Sequence, residues 1–236
     1  MGTHFSHLAL SLTLFLLMWV AFTGWGWLTA RLTGMTFRRV ERPFATVWLG
    51  WAASILLLQL WHLAMPVDAL ASFLFVAAGS ILAIQPLRRG LAGIVRRLAT
   101  WQIAFPCLTL VVAGWLASRG MLAQFEWDSG AYHFNMVRWI NEYRIVPGLG
   151  NLNVLLASNQ TFFLQDALWD FYPFYSRGYA VASSFLFMTL TLECLFATVV
   201  WFRSGGAFSE GHGVRRLLPV LMLPVVMLLV LRSNIG

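Results

Sequence analysis

Apolar residues gather in six runs along the chain: Leu8–Leu32, Phe44–Val67, Ala69–Leu87, Thr100–Ala117, Gly178–Phe202 and Leu217–Leu231. A helix needs about 20 residues to cross the hydrocarbon of a bilayer. Each run approaches or exceeds that length, so the pattern predicts an all-α, polytopic transmembrane bundle of about six spans. A single long hydrophilic segment interrupts it, from Ser118 to Arg177. At roughly 60 residues it is far longer than an ordinary connection. The chain thus divides into four N-terminal spans (residues 1–117), a loop (118–177) and two C-terminal spans (178–236).

Periodicity inside the loop predicts two short helices. Over Ala131–Tyr143, the residues Tyr132, Met136, Trp139, Ile140 and Tyr143 recur on one side, with Asn135, Arg138, Asn141 and Glu142 opposite. Such a face suits a helix lying flat in a membrane interface. Over Asn159–Phe171, Phe163, Ala167, Leu168 and Phe171 share a face. Asp166 and Asp170, four residues apart, share another, read as a solvated acidic face or a second carboxylate pair. Between the helices, Val146-Pro147-Gly148-Leu149-Gly150-Asn151 has the composition of a turn.

Composition agrees with a membrane chain. Hydrophobic residues make up 59% and charged residues 11%, and mean hydropathy is +0.73. Soluble domains carry about a quarter charged residues. The net charge of +7 does not point to nucleic acid, because the arginines flank apolar runs instead of lining one face. They also predict orientation. Arg31, Arg38, Arg39 and Arg42 fill the first connection, Arg88, Arg89, Arg96 and Arg97 the third, and Arg203, Arg215 and Arg216 the fifth. Met65–Asp68, the second connection, has none. The basic connections then face the cytoplasm, and the N-terminus and long loop face outward. Met1–His7 lacks the basic residues of a secretory signal, so the first run reads as a retained span. Cys107 and Cys194 lie singly inside apolar runs, which argues against a disulfide framework or a zinc site.

Five of the nine acidic residues lie in the loop, and Glu126-Trp127-Asp128-Ser129-Gly130-Ala131-Tyr132-His133 is the candidate site. A carboxylate beside a membrane helix can hold a divalent cation or take a proton from a hydroxyl. Asp128 or Ser129 can equally cap the helix that follows. His133 can bind phosphate or shuttle a proton. Arg138 and Arg144 can pair with a lipid-linked phosphate or simply anchor an interfacial helix. Gly148 and Gly150 can present backbone N–H groups to a phosphate or form a plain turn. Glu193, inside the fifth run, reads either as an ion or proton carrier or as a carboxyl hydrogen-bonded to a neighbouring helix.

Asp128-Ser129-Gly130-Ala131-Tyr132-His133, Trp139-Ile140-Asn141-Glu142-Tyr143 and Val146-Pro147-Gly148-Leu149-Gly150-Asn151-Leu152 resemble the loop of a family of uncharacterised bacterial multi-pass membrane proteins. In that family an Asp-Ser/Thr-Gly-x-Tyr-His element precedes a Val-Pro-Gly-Leu-Gly-Asn-Leu element. The layout also resembles integral-membrane glycosyltransferases of the GT-C class, which take sugars from polyprenyl-phosphate donors and carry an essential acid in a large outward loop. That resemblance implies Asp128 as base or metal ligand, with Glu126 completing an acidic pair and Mg or Mn as the cation. It implies His133 and Arg138 as donor-phosphate contacts, with Tyr132 and Asn151 of the two motifs completing the substrate-binding set. The partners implied are membrane lipid and the lipid-linked donor at the outer face of a bacterial inner membrane, with no nucleic acid.

GT-C enzymes place this loop after their first membrane helix, whereas here it follows the fourth run. They are also longer, which leaves this chain a fragment or a reduced relative. Two other function classes compete: a transporter or flippase component using Glu193, and a non-catalytic subunit whose loop docks a protein partner in the envelope.

Overall fold

The computed structural model describes residues 2–37, 42–95, 100–120, 129–157, 161–172 and 178–203, with residues 219, 222 and 225–226. Among them every regular element is helical. The long helices are α1 (Gly2–Thr33), α2 (Arg42–His62), α3 (Ala69–Val95) and α4 (Thr100–Gly120), and, after the loop, α8 (Gly178–Arg203). The loop carries α5 (Phe134–Glu142), α6 (Leu149–Leu152) and α7 (Thr161–Trp169). Apart from four isolated residues, the sixth apolar run lies outside the described residues.

Four helices are long and apolar enough to cross a membrane: Ser6–Thr33, Arg42–His62, Ala69–Gly90 and Ala180–Phe202. In α4 the apolar stretch is shorter, Cys107–Ser118. Leu16 and Leu17 of α1, Leu56 and Leu60 of α2, Phe73 and Ile81 of α3, and Leu110 and Val111 of α4 are exposed. Water would penalise so much contiguous apolar surface, and lipid is its natural solvent. These features describe a membrane protein.

Two boundaries differ from the hydropathy pattern. α2 stops at His62 instead of Val67, because the chain turns ahead of Pro66. The Trp61 indole closes that turn by donating to the Pro66 carbonyl at 2.8 Å. Asp68 then caps α3, its Oδ1 accepting from the N–H groups of Leu70 (3.0 Å) and Ala71 (3.1 Å). At its other end α3 runs on past Leu87 to Val95. Arg88 and Arg89 end the apolar run but not the helix, since arginine is a good helix former.

Glycines let the first three helices touch backbone to backbone. A Cβ on Gly24 would overlap the Gly79 carbonyl of α3, and one on Gly26 would overlap the Thr46 carbonyl of α2. Gly50 stands in the same relation to the Phe22 carbonyl. Small residues at such crossings are the usual route to close helix packing in lipid. One stripe of α1 (Leu14, Phe15, Met18, Ala21 and Phe22) is buried at helical spacing. Phe22 forms the hub, with ring centroids 5.4 Å from Trp51, 5.9 Å from Phe75, 5.8 Å from Trp169 and 5.6 Å from Phe185. Those rings belong to α2, α3, α7 and α8, so part of the loop is built into the bundle core.

In the interior of α8, Glu193 accepts a hydrogen bond from the Trp48 indole of α2 at 2.7 Å. The carboxyl is therefore hydrogen-bonded to a neighbouring helix, one of the two readings open from sequence.

Candidate functional site

A five-residue π-helical turn, Ser129–His133, leads into α5. The described part of the loop motif thus lies on widened helix, a geometry found often at functional sites. His133 and Tyr132 are half-buried. Their ring centroids lie 5.2 Å and 6.4 Å from that of Phe163 in α7.

α5 buries Met136, Val137 and Ile140 inside the protein, largely against α7. Its aliphatic face is therefore spent on protein contacts and not on lipid. Trp139 is half-buried and Tyr143 exposed. On the outer side, Arg138 Nε meets Glu142 Oε1 at 2.7 Å, an exposed i,i+4 ion pair. The Val67 N–H donates to the Ile140 carbonyl at 3.0 Å, and the Ile145 N–H to the His62 carbonyl at 3.0 Å. With its nitrogen turned toward the acceptors, the Asn141 amide donates to the carbonyls of Val67 (3.0 Å) and Ala167 (3.2 Å). One side chain so ties α5, the α2–α3 connection and α7 together.

The segment Val146–Asn151, expected as a turn, is one only at Pro147–Gly148, after which α6 begins. Gly148 has φ 87°, the left-handed region where a Cβ is penalised. Asn151, on the exposed side of α6, has its amide nitrogen 3.4 Å from where a Gly148 Cβ would sit. Asn151 is thus placed with the Gly148 turn.

The largest departure from expectation is α7. The sequence reading gave it a solvated acidic face through Asp166. In the structure Leu164, Gln165, Asp166, Ala167, Leu168 and Trp169 are all buried, so beyond its first turn, where Phe162 is exposed, the helix is enclosed on every side. The helix is wedged among α2, α3, α5 and α8. Gln165 Nε2 donates to the Ser54 hydroxyl of α2. The Ser72 hydroxyl of α3 donates to the Leu168 carbonyl at 2.6 Å. The Trp169 ring lies 6.3 Å from Phe75, edge-on.

Asp166 is 0% exposed, and neither carboxyl oxygen has a hydrogen-bond partner among the described residues. Burial holds this carboxyl well above the usual carboxylate range, and the charge of Asp170 pushes it the same way. Gln165 Oε1 and Trp169 Nε1 are likewise buried without partners there. Spacing alone singled out neither Gln165 nor Trp169, and gave Asn141 only a place on the polar face of its helix. A signal was nonetheless present: apolar residues at 162–164 and 167–169 cover the whole circumference of the helix, which marks an interior helix.

Asp128 and Glu126 lie outside the described residues. Among the described residues no group of three or more His, Cys, Asp or Glu is placed to hold a metal ion. The structure brings His133 and Tyr132 together on the Phe163 side of α7, and leaves Arg138 and Asn151 exposed on α5 and α6.

The model of a family described as a domain of unknown function matches residues 8–233, which takes in the long helices and the loop alike. No curated protein and no solved structure matches the chain.

Proposed function

The chain belongs to that family, DUF8201, and on this premise we propose that it is an integral-membrane glycosyltransferase of GT-C type, acting at the outer face of a bacterial inner membrane on a polyprenyl-phosphate-linked sugar. The observation that carries the reading is the π-helical turn at Ser129–His133, which coincides with the loop motif and begins directly after Asp128. In this reading Asp128 takes the proton of the acceptor hydroxyl while its oxygen bonds to the sugar's anomeric carbon. The C–O bond to the polyprenyl phosphate breaks and the phosphate leaves with the electron pair. Glu126 supports Asp128, and a divalent cation, Mg or Mn, would be held by that pair to offset phosphate charge.

The remaining residues take binding roles. His133 and Tyr132, braced by Phe163, face the donor. Arg138 reaches the phosphate by sharing its guanidinium with Glu142, and Asn151 contributes from α6. Exposed Tyr143, Ile145, Leu152, Val154 and Tyr172 suit a loop resting at the level of lipid headgroups. The arginine-rich connections support a reading with the N-terminus and the loop outside, in a bundle of about six spans. Glu193, the mid-span charge a transporter would use, is engaged by Trp48, which favours a structural role.

The test uses the full chain in lipid nanodiscs with a radiolabelled polyprenyl-phosphate sugar. Asp128→Asn is expected to abolish transfer while leaving membrane insertion intact. Undiminished transfer by that variant would refute the reading.

A further inference from the structure

We propose that Asp166 is a proton-binding site that locks α7, and with it the loop, into the bundle. The carboxyl is fully enclosed, and both oxygens lack partners among the described residues. A bare carboxylate in such a place carries a penalty that only a proton or a paired cation removes.

Among the described residues, the neighbouring elements place no such cation beside it. Between His7 and Arg31, α1 has no titratable side chain; α2 has none between Arg42 and His62, and α3 none before Arg88. His62 lies at the end of α2, and Asp68, at the start of α3, is itself acidic. α8 offers Tyr179 at its start, Glu193, held by Trp48, Cys194, and Arg203 as its last residue. α5 offers Arg138, which is exposed and paired with Glu142, and the π-helical turn offers Tyr132 and His133. Asp170, one turn on, is acidic. The neutral acid is therefore the form that fits the seat.

Release of the proton would leave a charge in the middle of α7. The bond from Gln165 to Ser54, and those from Ser72 and Asn141 to α7 carbonyls, would then hold a helix whose burial has become unfavourable. Phe163 lies three residues before Asp166 on the same helix and packs on His133. Undocking α7 therefore removes a brace from the loop motif. The site does not depend on the transferase reading, and its test has no activity readout.

The experiment uses the full chain in lipid nanodiscs. Infrared spectra of wild type labelled with 13C-aspartate should show, at neutral pH, the carbonyl band of a protonated buried acid, and Asp166→Asn should lack it. Hydrogen exchange of residues 161–169, corrected for intrinsic rates, should rise with pH in the wild type by up to about tenfold per pH unit. In Asp166→Asn it should stay flat. Absence of the band in the wild type overturns the proposal, even if the variant fails to fold. So does an unchanged band in the variant, or the same pH dependence in both proteins. Restored protection on adding Na+ or Mg2+ at fixed alkaline pH also overturns it, because the ligand would then be a metal cation.

Discussion

Replacing Gly24 with alanine is the sharpest test of the packing, because the structure supplies its own control. An added Cβ would fall on the Gly79 carbonyl and lie 2.8 Å from the Ala83 nitrogen. Both are backbone atoms in the middle of α3, so no side chain can swing aside. α1 and α3 must separate locally by roughly an ångström, and forced overpacking of this kind costs about 1–3 kcal/mol. Separation also loosens the stacked pair Trp25–Phe75, with centroids 5.4 Å apart, and the bond from the Trp25 indole to the Phe75 carbonyl at 3.1 Å. These contribute about 1 kcal/mol each. Against them stands alanine's better helix propensity, about 1 kcal/mol. The net expectation is a loss of about 2–4 kcal/mol.

Gly114 of α4 is the matched control, since its Cβ would meet nothing within 4 Å. There only the propensity gain acts, so Gly114→Ala should be neutral or stabilising by up to about 1 kcal/mol. Equilibrium unfolding in one detergent, read by tryptophan fluorescence and circular dichroism, measures both variants against wild type. Equal stability of the two variants, or a Gly24→Ala protein as stable as wild type, would refute the close backbone crossing.

The other predictions concern the loop and the interior carboxyls. Gly148→Ala forces a Cβ into φ 87° and should cost about 1–2 kcal/mol, read as faster hydrogen exchange over residues 145–157 with the spans unchanged. Trp48→Phe removes a donor from Glu193 and should lower the midpoint of thermal unfolding, with a loss of about 1–3 kcal/mol; adding Glu193→Leu should recover much of it. Because the Asp166 carboxyl sits well above its unfolded value, its proton favours the folded state. That stability is fully present below the unfolded pKa, near about 3.9, and falls as pH rises toward the folded pKa, by up to about 1.4 kcal/mol per pH unit. Denaturant titrations across that range should lose this slope in Asp166→Asn.

Apolar runs were enough to locate the long helices, because lipid imposes a length and an apolar composition that one dimension records directly. α4 is helical from Thr100 on and α8 from Gly178 on, in the fourth and fifth apolar runs of the pattern. The ends failed where something other than hydropathy decides them: the turn ahead of Pro66, the Asp68 cap, and arginines that continue α3. The site was legible in part. Periodicity located the helix that ends at Glu142, and composition the turn at Pro147–Gly148. It misjudged Asp166, because two carboxylates at i and i+4 look like a wetted stripe whatever surrounds the helix. Which helices enclose it depends on contacts between residues a hundred positions apart, such as Gln165 with Ser54.

The seat of α7 also bears on biogenesis. Ribosomes deliver α1, α2 and α3 well before residues 161–169 exist, and the glycine crossings let those three helices associate at once. The nascent unit then displays a vacant groove. One side of Phe22 awaits Trp169 and Phe185, and the Ser54 and Ser72 hydroxyls await Gln165 and the Leu168 carbonyl. Within α2 and α3 those hydroxyls can turn to the Trp51 and Asp68 carbonyls, so what lipid must fill until α7 and α8 arrive is chiefly the apolar hollow around Phe22. Translation pauses placed after α3 would lengthen that exposed interval, whereas pauses after α8 would not.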